Sequence, residues 1–248
     1  MAAAVKLHRH IVRRRKARFL TEGPNLVAAA LRRGLVSEVF ATESASSRFA
    51  DLLSGVPVHL VTERAAKVLS ETVTPAGLVA VCSVPETTLA DIVADGPRLV
   101  AVAVEISEPG NAGTLIRIAD AMGADAVVLA GHSVDPYNGK CLRASAGSIF
   151  SIPVVTEPDA VTAVSTLGEA GLQVLATTVD GEVSLDYAAL DAPTAWLFGP
   201  ESHGLPSELA EMATHRVRIP IPGSAESLNV ASAASICLYQ SARAVRGS

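Results

Sequence analysis

The sequence lacks three features that would each assign it to a broad class of protein. It has no apolar run of the ~18 or more residues that a membrane-spanning helix requires, although 49% of its 248 residues are hydrophobic. Its three cysteines, Cys82, Cys141 and Cys237, are far apart and form no Cys-x-x-Cys pair, which argues against a zinc site or a disulfide framework. The basic N-terminus lacks the apolar segment of a secretory signal. We therefore expect a cytoplasmic protein of one or two domains, with no metal and no membrane partner.

The net charge of -5 conceals an uneven distribution of charge. Residues 1–93 contain twelve Lys or Arg against eight Asp or Glu, whereas residues 94–248 contain eight against seventeen. A basic arm, residues 1–18, has no acidic residue. Such a cluster favours contact with a phosphate backbone, although a solvated tail would have the same composition. The arm residues that we expect to contact phosphates are Arg9, Arg13, Arg14, Arg15, Lys16 and Arg18.

Hydrophobic periodicity divides the chain at the same place. The N-terminal part has the pattern of a small α/β module. Its predicted helices and strands are, in chain order, helix Asn25–Arg33, strand Val36–Ala41, helix Ser46–Leu53, strand Val56–Val61, helix Glu63–Leu69 and strand Leu78–Cys82. The segment Val84–Pro97 contains two prolines and several polar residues, and we interpret it as a linker.

The C-terminal part alternates apolar strands with helices. The predicted strands are Leu99–Val104, Ala126–Leu129, Ile152–Val155, Leu172–Thr177, Ala195–Phe198 and Arg216–Ile219. The predicted helices are Thr114–Met122, Ala160–Ala170 and Val230–Arg243. Near-continuous apolar strands in this rhythm are typical of a parallel sheet that is covered on both faces. The chain is therefore assigned to the α/β class.

Three loops follow predicted strands, and sites in parallel α/β sheets form at the edge where strands end. The first loop leads to Asn111, Gly113 and Arg117. The second is Gly199–Leu205, and the third joins the last strand to the last helix. In the third loop we expect Ser227 to cap the helix, whose unpaired N–H groups could hold a carboxylate or orient a hydroxyl.

Together these loops resemble the signature of the SpoU branch of the SPOUT RNA methyltransferases. The matching patterns are Asn111-x-Gly113-x-x-x-Arg117-x-Ala119, Leu197-Phe198-Gly199-x-Glu201-x-x-Gly204-Leu205, Ile219-Pro220 to Gly223, and Ser227-Leu228-Asn229-Val230. The N-terminal module, with Leu20-x-Glu22-Gly23, is similar to the ribosomal-protein-L30e-like RNA-binding domain of many members. The resemblance implies a substrate-binding domain over residues 1–93 and a SPOUT domain over 94–248. It also implies a deep trefoil knot, whereas periodicity alone favours a Rossmann-like sheet.

The implied activity is transfer of a methyl group from S-adenosylmethionine to a ribose 2′-hydroxyl of RNA, in a homodimer whose sites combine two subunits. The N-terminal module favours ribosomal RNA of the 23S type. The donor pocket is assigned by resemblance to Leu197, Phe198, Gly199, Glu201, Ile219, Pro220, Ile221, Gly223, Ser227 and Leu228. The catalytic residues are assigned in the same way to Asn111, Arg117, Arg143, Glu201, Ser227 and Asn229. Gly199 and Gly223 are expected to let the main chain approach the donor closely.

Arg117 is the residue that we expect to matter most for the chemistry. A guanidinium is a poor general base, so we expect Arg117 to bind the adjacent phosphate and stabilise the developing alkoxide. The alternative is a surface arginine paired with Asp120 three residues later. The resemblance assigns Arg143 a contact with RNA or with the active site of the partner subunit. The group that removes the proton is left open. An imidazole suits that task, but the family pattern varies at position 203, so His203 is interpreted as a loop histidine.

Three other functions are weighed against this one. A transfer RNA 2′-O-methyltransferase would carry the same motifs. A non-catalytic RNA-binding protein could retain the fold. A nucleotide-dependent oxidoreductase would need a Gly-x-Gly-x-x-Gly turn, and the turn here, Glu108-Pro-Gly-Asn-Ala-Gly113, has the wrong spacing and lacks a glycine.

Overall fold

A four-stranded sheet organises the N-terminal part of the computed structural model, which describes residues 1–246. Its elements are α1 (Ala2–Val5), α2 (His10–Lys16), β1 (Arg18–Glu22), α3 (Pro24–Arg32), β2 (Val36–Ala41), α4 (Glu43–Arg48), β3 (Val58–Leu60), α5 (Glu63–Leu69) and β4 (Leu78–Ser83). The strand order is β1-β4-β2-β3, in which β4 runs antiparallel to both its neighbours and β3 runs parallel to β2. The predicted α/β module is present, with an additional strand, β1.

Helix boundaries in this part follow the capping residues. Thr42 and Thr62 accept hydrogen bonds from the backbone N–H groups of Ala45 and Ala65, so α4 and α5 each begin one residue after a threonine. The predicted limits of α5 are confirmed. The helix predicted over Ser46–Leu53 instead begins at Glu43, three residues before the predicted start, because Thr42 caps it.

The basic arm is folded against the N-terminal sheet. It forms α1, a 3-10 turn over Lys6–His8, and α2. Ala4 and Leu7 are buried in a small core with Phe40 and Leu69. The interpretation of this segment as a solvated tail is therefore wrong, because its apolar side chains pack into the domain.

A helix lies inside the predicted linker. This helix, α6 (Leu89–Ala94), begins at a capping box in which Thr88 and Asp91 exchange hydrogen bonds. The bonds from Thr88 lower the pKa of the Asp91 carboxyl. Leu89 and Ile92 pack into the core of the C-terminal sheet. The segment Val84–Pro97, which we interpret as a linker, therefore contains a helix that packs into the C-terminal core, and the domain division after residue 93 stays a prediction.

A seven-stranded sheet with parallel pairing organises the rest of the chain. Its elements are β5 (Leu99–Val104), α7 (Pro109–Met122), β6 (Ala126–Ala130), α8 (Gly139–Ser145), β7 (Val154–Glu157), α9 (Ala160–Glu169), β8 (Gln173–Thr177), β9 (Val183–Ser184), β10 (Thr194–Phe198), α10 (Ser207–Met212), β11 (His215–Arg218) and α11 (Val230–Arg246). The strand order is β7-β6-β5-β10-β8-β11-β9. The predicted parallel sheet is confirmed.

Both faces of this sheet are covered, and the central strands show why their sequences are almost entirely apolar. All six residues of β5 are buried. Leu99, Ala101 and Ala103 belong to the core on one face, and the alternating residues Val100, Val102 and Val104 belong to the core on the other.

The last helix is fixed to the centre of the sheet. α11 packs against α7, β5 and β10. The indole N–H of Trp196, in β10, donates a buried hydrogen bond of 2.9 Å to Ser241 Oγ in α11. The predicted trefoil knot fits this placement and stays a prediction. None of the helices in residues 1–246 has the length and hydrophobicity of a membrane-spanning segment.

Two helical glycines should respond to alanine in opposite directions. A Cβ at Gly113, in α7, would collide with the carbonyl oxygen of Cys141 and lie 2.7 Å from Ala144 Cβ in α8. Gly113→Ala should therefore destabilise the fold by about 1 to 3 kcal/mol. A Cβ at Gly168, in α9, would meet only Val174 Cγ2, at 3.9 Å. Gly168→Ala should stabilise by about 0.5 to 1 kcal/mol, because alanine is the better helix former. Unfolding midpoints in urea measure both, and equal midpoints for the two variants would contradict the close α7–α8 packing.

Candidate active site

The carboxyl ends of three strands bring the three motif loops to one edge of the C-terminal sheet. β10 lies between β5 and β8, and β11 lies on the far side of β8. Because these strands are parallel, the loops that follow β5, β10 and β11 leave the sheet on the same side. Asn111 lies in the first turn of α7, directly after the first loop, Glu201 lies in the second loop, and Asn229 ends the third.

One carboxylate oxygen joins the three loops. Glu201 Oε1 accepts hydrogen bonds from Asn111 Nδ2 at 2.9 Å and from Asn229 Nδ2 at 2.8 Å. It also accepts from the backbone N–H of Val230 at 3.1 Å. Asn229 Nδ2 lies 3.2 Å from Asn111 Oδ1, which orients both amides. The structure thus brings together three residues that are far apart in sequence.

The start of α11 is capped by Asn229. Its Oδ1 accepts from the N–H of Ala231 at 3.0 Å, and its carbonyl oxygen accepts from the N–H of Ala233 at 3.0 Å. The prediction that Ser227 caps this helix is wrong by two residues. The carboxylate of Glu201 lies at the same helix end, where its negative charge interacts favourably with the helix dipole.

A cleft of about 980 Å³ opens beside this cluster. It is lined by the loops after β8, β10 and β11 and by α10. Seven residues of the predicted donor pocket line it, namely Gly199, Glu201, Ile219, Pro220, Ile221, Ser227 and Leu228. Its walls therefore combine apolar side chains with carboxylates and exposed main chain.

Three other predicted donor-pocket residues do not line the cleft. Leu197 and Phe198 are fully buried within β10, and the carbonyl oxygen of Leu197 accepts from Thr177 Oγ1 at 2.8 Å. Gly223 faces open space, where a Cβ would meet nothing within 4 Å. Their assignment to the donor pocket stays a prediction, because the resemblance assigns the donor contacts largely to backbone groups and not to side chains.

Gly199 is required by the fold of its own loop. A Cβ at this position would lie 2.6 Å from the backbone N of Leu205 and 2.7 Å from the carbonyl carbon of Gly204. The expectation that Gly199 lets the main chain approach the donor stays a prediction. Packing within the loop is a separate reason for a glycine at this position. The loop closes on itself at this point, and no side chain fits in between.

Sequence reasoning missed one wall of the cleft. Thr177–Asp180, at the end of β8, and Ala210 and Glu211, in α10, line it opposite the motif loops. The signal was available, because β8 was predicted as a parallel strand and its end lies at the same edge as the others.

Arg117 lies on α7, about 9 Å further along the helix axis than Asn111. Its side chain is exposed. Within residues 1–244 no ion pair or side-chain hydrogen bond involves Arg117, so the alternative pairing with Asp120 is not formed. The guanidinium is available to a ligand.

Arg143 contacts the N-terminal part of the same chain. Its Nη1 donates to Glu22 Oε1 at 2.9 Å and lies 3.7 Å from Glu71 Oε2. The predicted contact with RNA or with a partner subunit's site stays a prediction, and it would require the guanidinium to leave Glu22.

Arg13 is part of the interface between the two sheets. It is 6% exposed, and its Nε and Nη2 lie 2.7 and 2.6 Å from Asp135 Oδ2. Its Nη1 donates to the carbonyl oxygens of Leu7 and His8. The assignment of Arg13 to RNA binding is wrong, because its hydrogen bonds are made inside the protein. Arg9, Arg14, Arg15, Lys16 and Arg18 are exposed.

The thiols are buried and separate from this edge of the sheet. Burial raises the pKa of both Cys82 and Cys141 to about 12, so these thiols stay protonated near neutral pH. Among the residues described, no three His, Cys, Asp or Glu side chains are grouped so that they could hold a metal ion.

Comparisons with known proteins agree with the motifs. A sequence model of the SpoU rRNA Methylase family matches residues 98–239, and one of the MRM3-like substrate binding domain matches residues 2–80. The 23S rRNA (guanosine(2553)-2′-O)-methyltransferase RlmP of Bacillus subtilis (strain 168) is 37% identical over 235 residues, which cover 94% of this chain and 92% of RlmP.

Solved structures share the whole fold. A crystal structure described as an RNA 2′-O ribose methyltransferase superposes with a TM-score of 0.83 and 33% identity, covering 100% of this chain and 96% of its own. The SpoU methyltransferase AviRb from Streptomyces viridochromogenes, in complex with AdoMet, gives a TM-score of 0.87 at 29% identity, covering 99% and 98% of the two chains.

Removal of the Glu201 carboxylate should loosen the start of α11. In Glu201→Ala three N–H donors lose their acceptor, and we expect the free energy of unfolding to fall by about 1 to 2 kcal/mol. Glu226 is the matched control. It lines the same cleft and accepts no hydrogen bond within residues 1–244, so Glu226→Ala should change stability by less than about 0.5 kcal/mol. Urea denaturation compares the two variants, and equal losses would contradict the role of Glu201 as the junction of the loops.

Proposed function

The chain belongs to the SpoU rRNA methylase family, and from this membership we propose that it methylates a ribose 2′-hydroxyl of ribosomal RNA with S-adenosylmethionine. The observation that carries the proposal is the convergence of Asn111 and Asn229 on one carboxylate oxygen of Glu201, beside a large cleft. The substrate is assigned to 23S rRNA because RlmP, which matches nearly the full length, is named for that RNA. A cytoplasmic location is part of the same proposal.

The cleft suits the methyl donor. A volume of about 980 Å³ is at the upper end of the ~300 to 1,000 Å³ of small-molecule sites. Ile219, Ile221 and Leu228 offer an apolar wall for a nucleoside, and the carboxylates of Glu201 and Glu226 suit a cationic sulfonium and ammonium. When bound, S-adenosylmethionine supplies the electrophilic methyl group.

The chain's own residues orient the acceptor and stabilise the charge that develops on it. The Glu201 cluster holds the three loops in one arrangement, which favours a displacement whose barrier falls through alignment. Arg117 binds the phosphate next to the acceptor ribose and stabilises the alkoxide as the proton leaves. Its permanent charge suits that role and excludes it from removing the proton.

The exposed cations of the basic arm form the first RNA contact. Arg9, Arg14, Arg15, Lys16 and Arg18 are exposed on or next to α2. Their attraction to phosphates is independent of sequence and releases counterions. The arm therefore holds RNA, while residues that follow β5, β10 and β11 select and methylate the ribose.

A homodimer completes the proposal. α11 exposes Ile236 and Tyr239, which are 37% and 52% accessible and lie three residues apart on one helix face. Large apolar side chains on an exposed helix face are typical of an interface. A second copy packed there would lie beside α7, which carries Arg117.

Methyl transfer should depend on Arg117. Incubation with labelled S-adenosylmethionine and unmodified 23S rRNA should give a 2′-O-methylated nucleoside on digestion and mass spectrometry. Arg117→Ala should lower kcat by about 100-fold or more, since a charge stabiliser of the developing oxyanion is lost. Arg98, at the opposite edge of the sheet, bonds only to the carbonyl oxygen of Asp191 through its side chain within the described residues, and Arg98→Ala should retain activity. Methylation of a base, or equal rates for the two variants, would contradict the proposal.

Neutralising the exposed cations of the arm should weaken RNA binding without affecting the donor. Deletion of residues 1–18 would also remove the buried Leu7 and Arg13, so substitution is the cleaner experiment. With the five exposed cations replaced by glutamine, each lost phosphate contact should reduce the slope of log K against log salt by about 0.7 to 0.9. Filter binding at several salt concentrations measures the slope, and donor affinity by calorimetry is the internal control. An unchanged slope would exclude the arm from the RNA interface.

A further inference from the structure

A second polar cluster lies beside the Glu201 junction, the set of hydrogen bonds that Asn111, Asn229 and Val230 make to Glu201. The mechanism proposed above gives this second cluster no role. His203 Nδ1 is 2.8 Å from Ser202 Oγ, and His203 Nε2 is 3.9 Å from Glu105 Oε2. A hydroxyl, an imidazole and a carboxylate are therefore arranged in sequence. The distance of 3.9 Å is too long for a hydrogen bond and short enough for an ion pair once the imidazole is protonated.

Glu105 reaches this position through an unfavourable backbone conformation. It follows β5 directly and has a φ of +53°, which side-chain-bearing residues rarely adopt. Its N–H donates to the carbonyl oxygen of Ala130 at 3.0 Å, which extends the pairing of β5 with β6 and holds the residue in place. Strained residues that the surrounding structure holds in place are concentrated at functional sites.

Two connections place His203 at the edge of the C-terminal sheet where the three motif loops meet, which we call the reaction edge. His203 follows Glu201 by two residues and lines the same cleft. Its partner Glu105 heads the loop that leads to Asn111. The cluster therefore connects the first and second motif loops, as the Glu201 junction does.

His203 differs from the other ionisable groups around the cleft in its chemistry. Arg216 lies 3.1 Å from Glu182 and 3.9 Å from Asp180, and Arg218 donates to the carbonyl oxygens of Gly181 and Glu182. The ionisable side chains that line the cleft are Asp180, Glu201, His203, Glu211, Arg216, Arg218 and Glu226. Of these, His203 is the one imidazole, and an imidazole is the side chain that most often serves as a general base.

Resting on the proposed function, we infer that His203 is the catalytic group that accepts the proton of the ribose 2′-hydroxyl, with Glu105 as its positioning carboxylate. The 2′-oxygen forms a bond to the methyl carbon as the bond between that carbon and the sulfonium sulfur breaks. The hydroxyl proton passes to His203 Nδ1, which exchanges Ser202 for the ribose hydroxyl. The products are the 2′-O-methyl ribose, S-adenosylhomocysteine and an imidazolium, which the Glu105 carboxylate stabilises.

This assignment gives Arg117 and His203 separate tasks. Arg117 stabilises negative charge on the oxygen and cannot take the proton. His203 takes the proton and is exposed enough, at 61%, to pass it to solvent afterwards. Neither residue replaces the other.

The test compares His203→Ala with a matched histidine variant in the full-length protein. His215 lies 3.9 Å from the carboxylate of Glu182, is 53% exposed and does not line the cleft. We expect kcat on 23S rRNA to fall by about 100-fold or more in His203→Ala, as is typical on loss of a general base. His215→Ala should match the parent.

Three readouts separate a proton acceptor from a structural residue. A general base must be unprotonated to act, so the parent's kcat should rise with pH, and His203→Ala should lack that rise. Added imidazole should restore activity to His203→Ala in proportion to its concentration and leave Arg117→Ala unchanged. Glu105→Gln should lower kcat with little change in the KM for the donor.

The outcomes also separate this inference from the function on which it rests. If the parent methylates a ribose and His203→Ala keeps both its rate and its pH profile, the inference is wrong and the proposed function stands. If His203→Ala loses activity, binds the donor more weakly and is not rescued by imidazole, His203 has a structural role and the inference is wrong. If the parent transfers no methyl group to any RNA, the proposed function itself fails.

Discussion

The arrangement of the reaction edge depends on a single carboxylate oxygen. Glu201 Oε1 receives two side-chain amides and the first backbone N–H of α11. An anion at this place interacts favourably with the helix dipole and accepts bonds from donors that would otherwise pair only with water. Asn111 and Asn229 are 118 residues apart in the sequence. By binding both, Glu201 fixes the relative position of α7, the loop after β10 and α11. The cleft between the last two loops takes its shape from that junction.

Two glycines of the motifs allow a close approach between chain segments. Gly113 allows α7 to lie against α8, and Gly199 allows its loop to close on Gly204 and Leu205. In both cases the atoms that exclude a side chain belong to the protein. A signature glycine is therefore as much a requirement of close packing as of ligand binding, and the motif pattern alone does not distinguish the two. Gly223, which has open space around it, is not required by packing within the protein.

The parts of the fold that sequence predicts well are those determined by local chemistry. The limits of β5 are confirmed because a run of six apolar residues is bounded by polar ones, and α5 is confirmed because Thr62 caps it. Local sequence does not decide between Ser227 and Asn229 as the cap of α11, since serine and asparagine are both good caps. Asn229 is held at the cap by its hydrogen bond to Glu201 across the loop. Likewise, nothing local distinguishes Arg13 from its basic neighbours. Its partner, Asp135, is 122 residues away.

Such long-range pairs alter the meaning of the charge distribution. The basic N-terminal part and the acidic C-terminal part suggest a division between RNA binding and donor binding, yet some of these charges hold the two parts together. In one pair the N-terminal part supplies the cation, Arg13, and the C-terminal part the anion, Asp135. In the other pair Arg143 is the cation of the C-terminal part and Glu22 the anion of the N-terminal part. Arg13 is buried, and removal of its partner would leave an uncompensated charge inside the protein. The buried pair therefore secures the arm to the C-terminal sheet, while Arg14 and Arg15, exposed on the same short helix, remain directed to solvent. The arm is thereby presented in a defined orientation relative to the reaction edge.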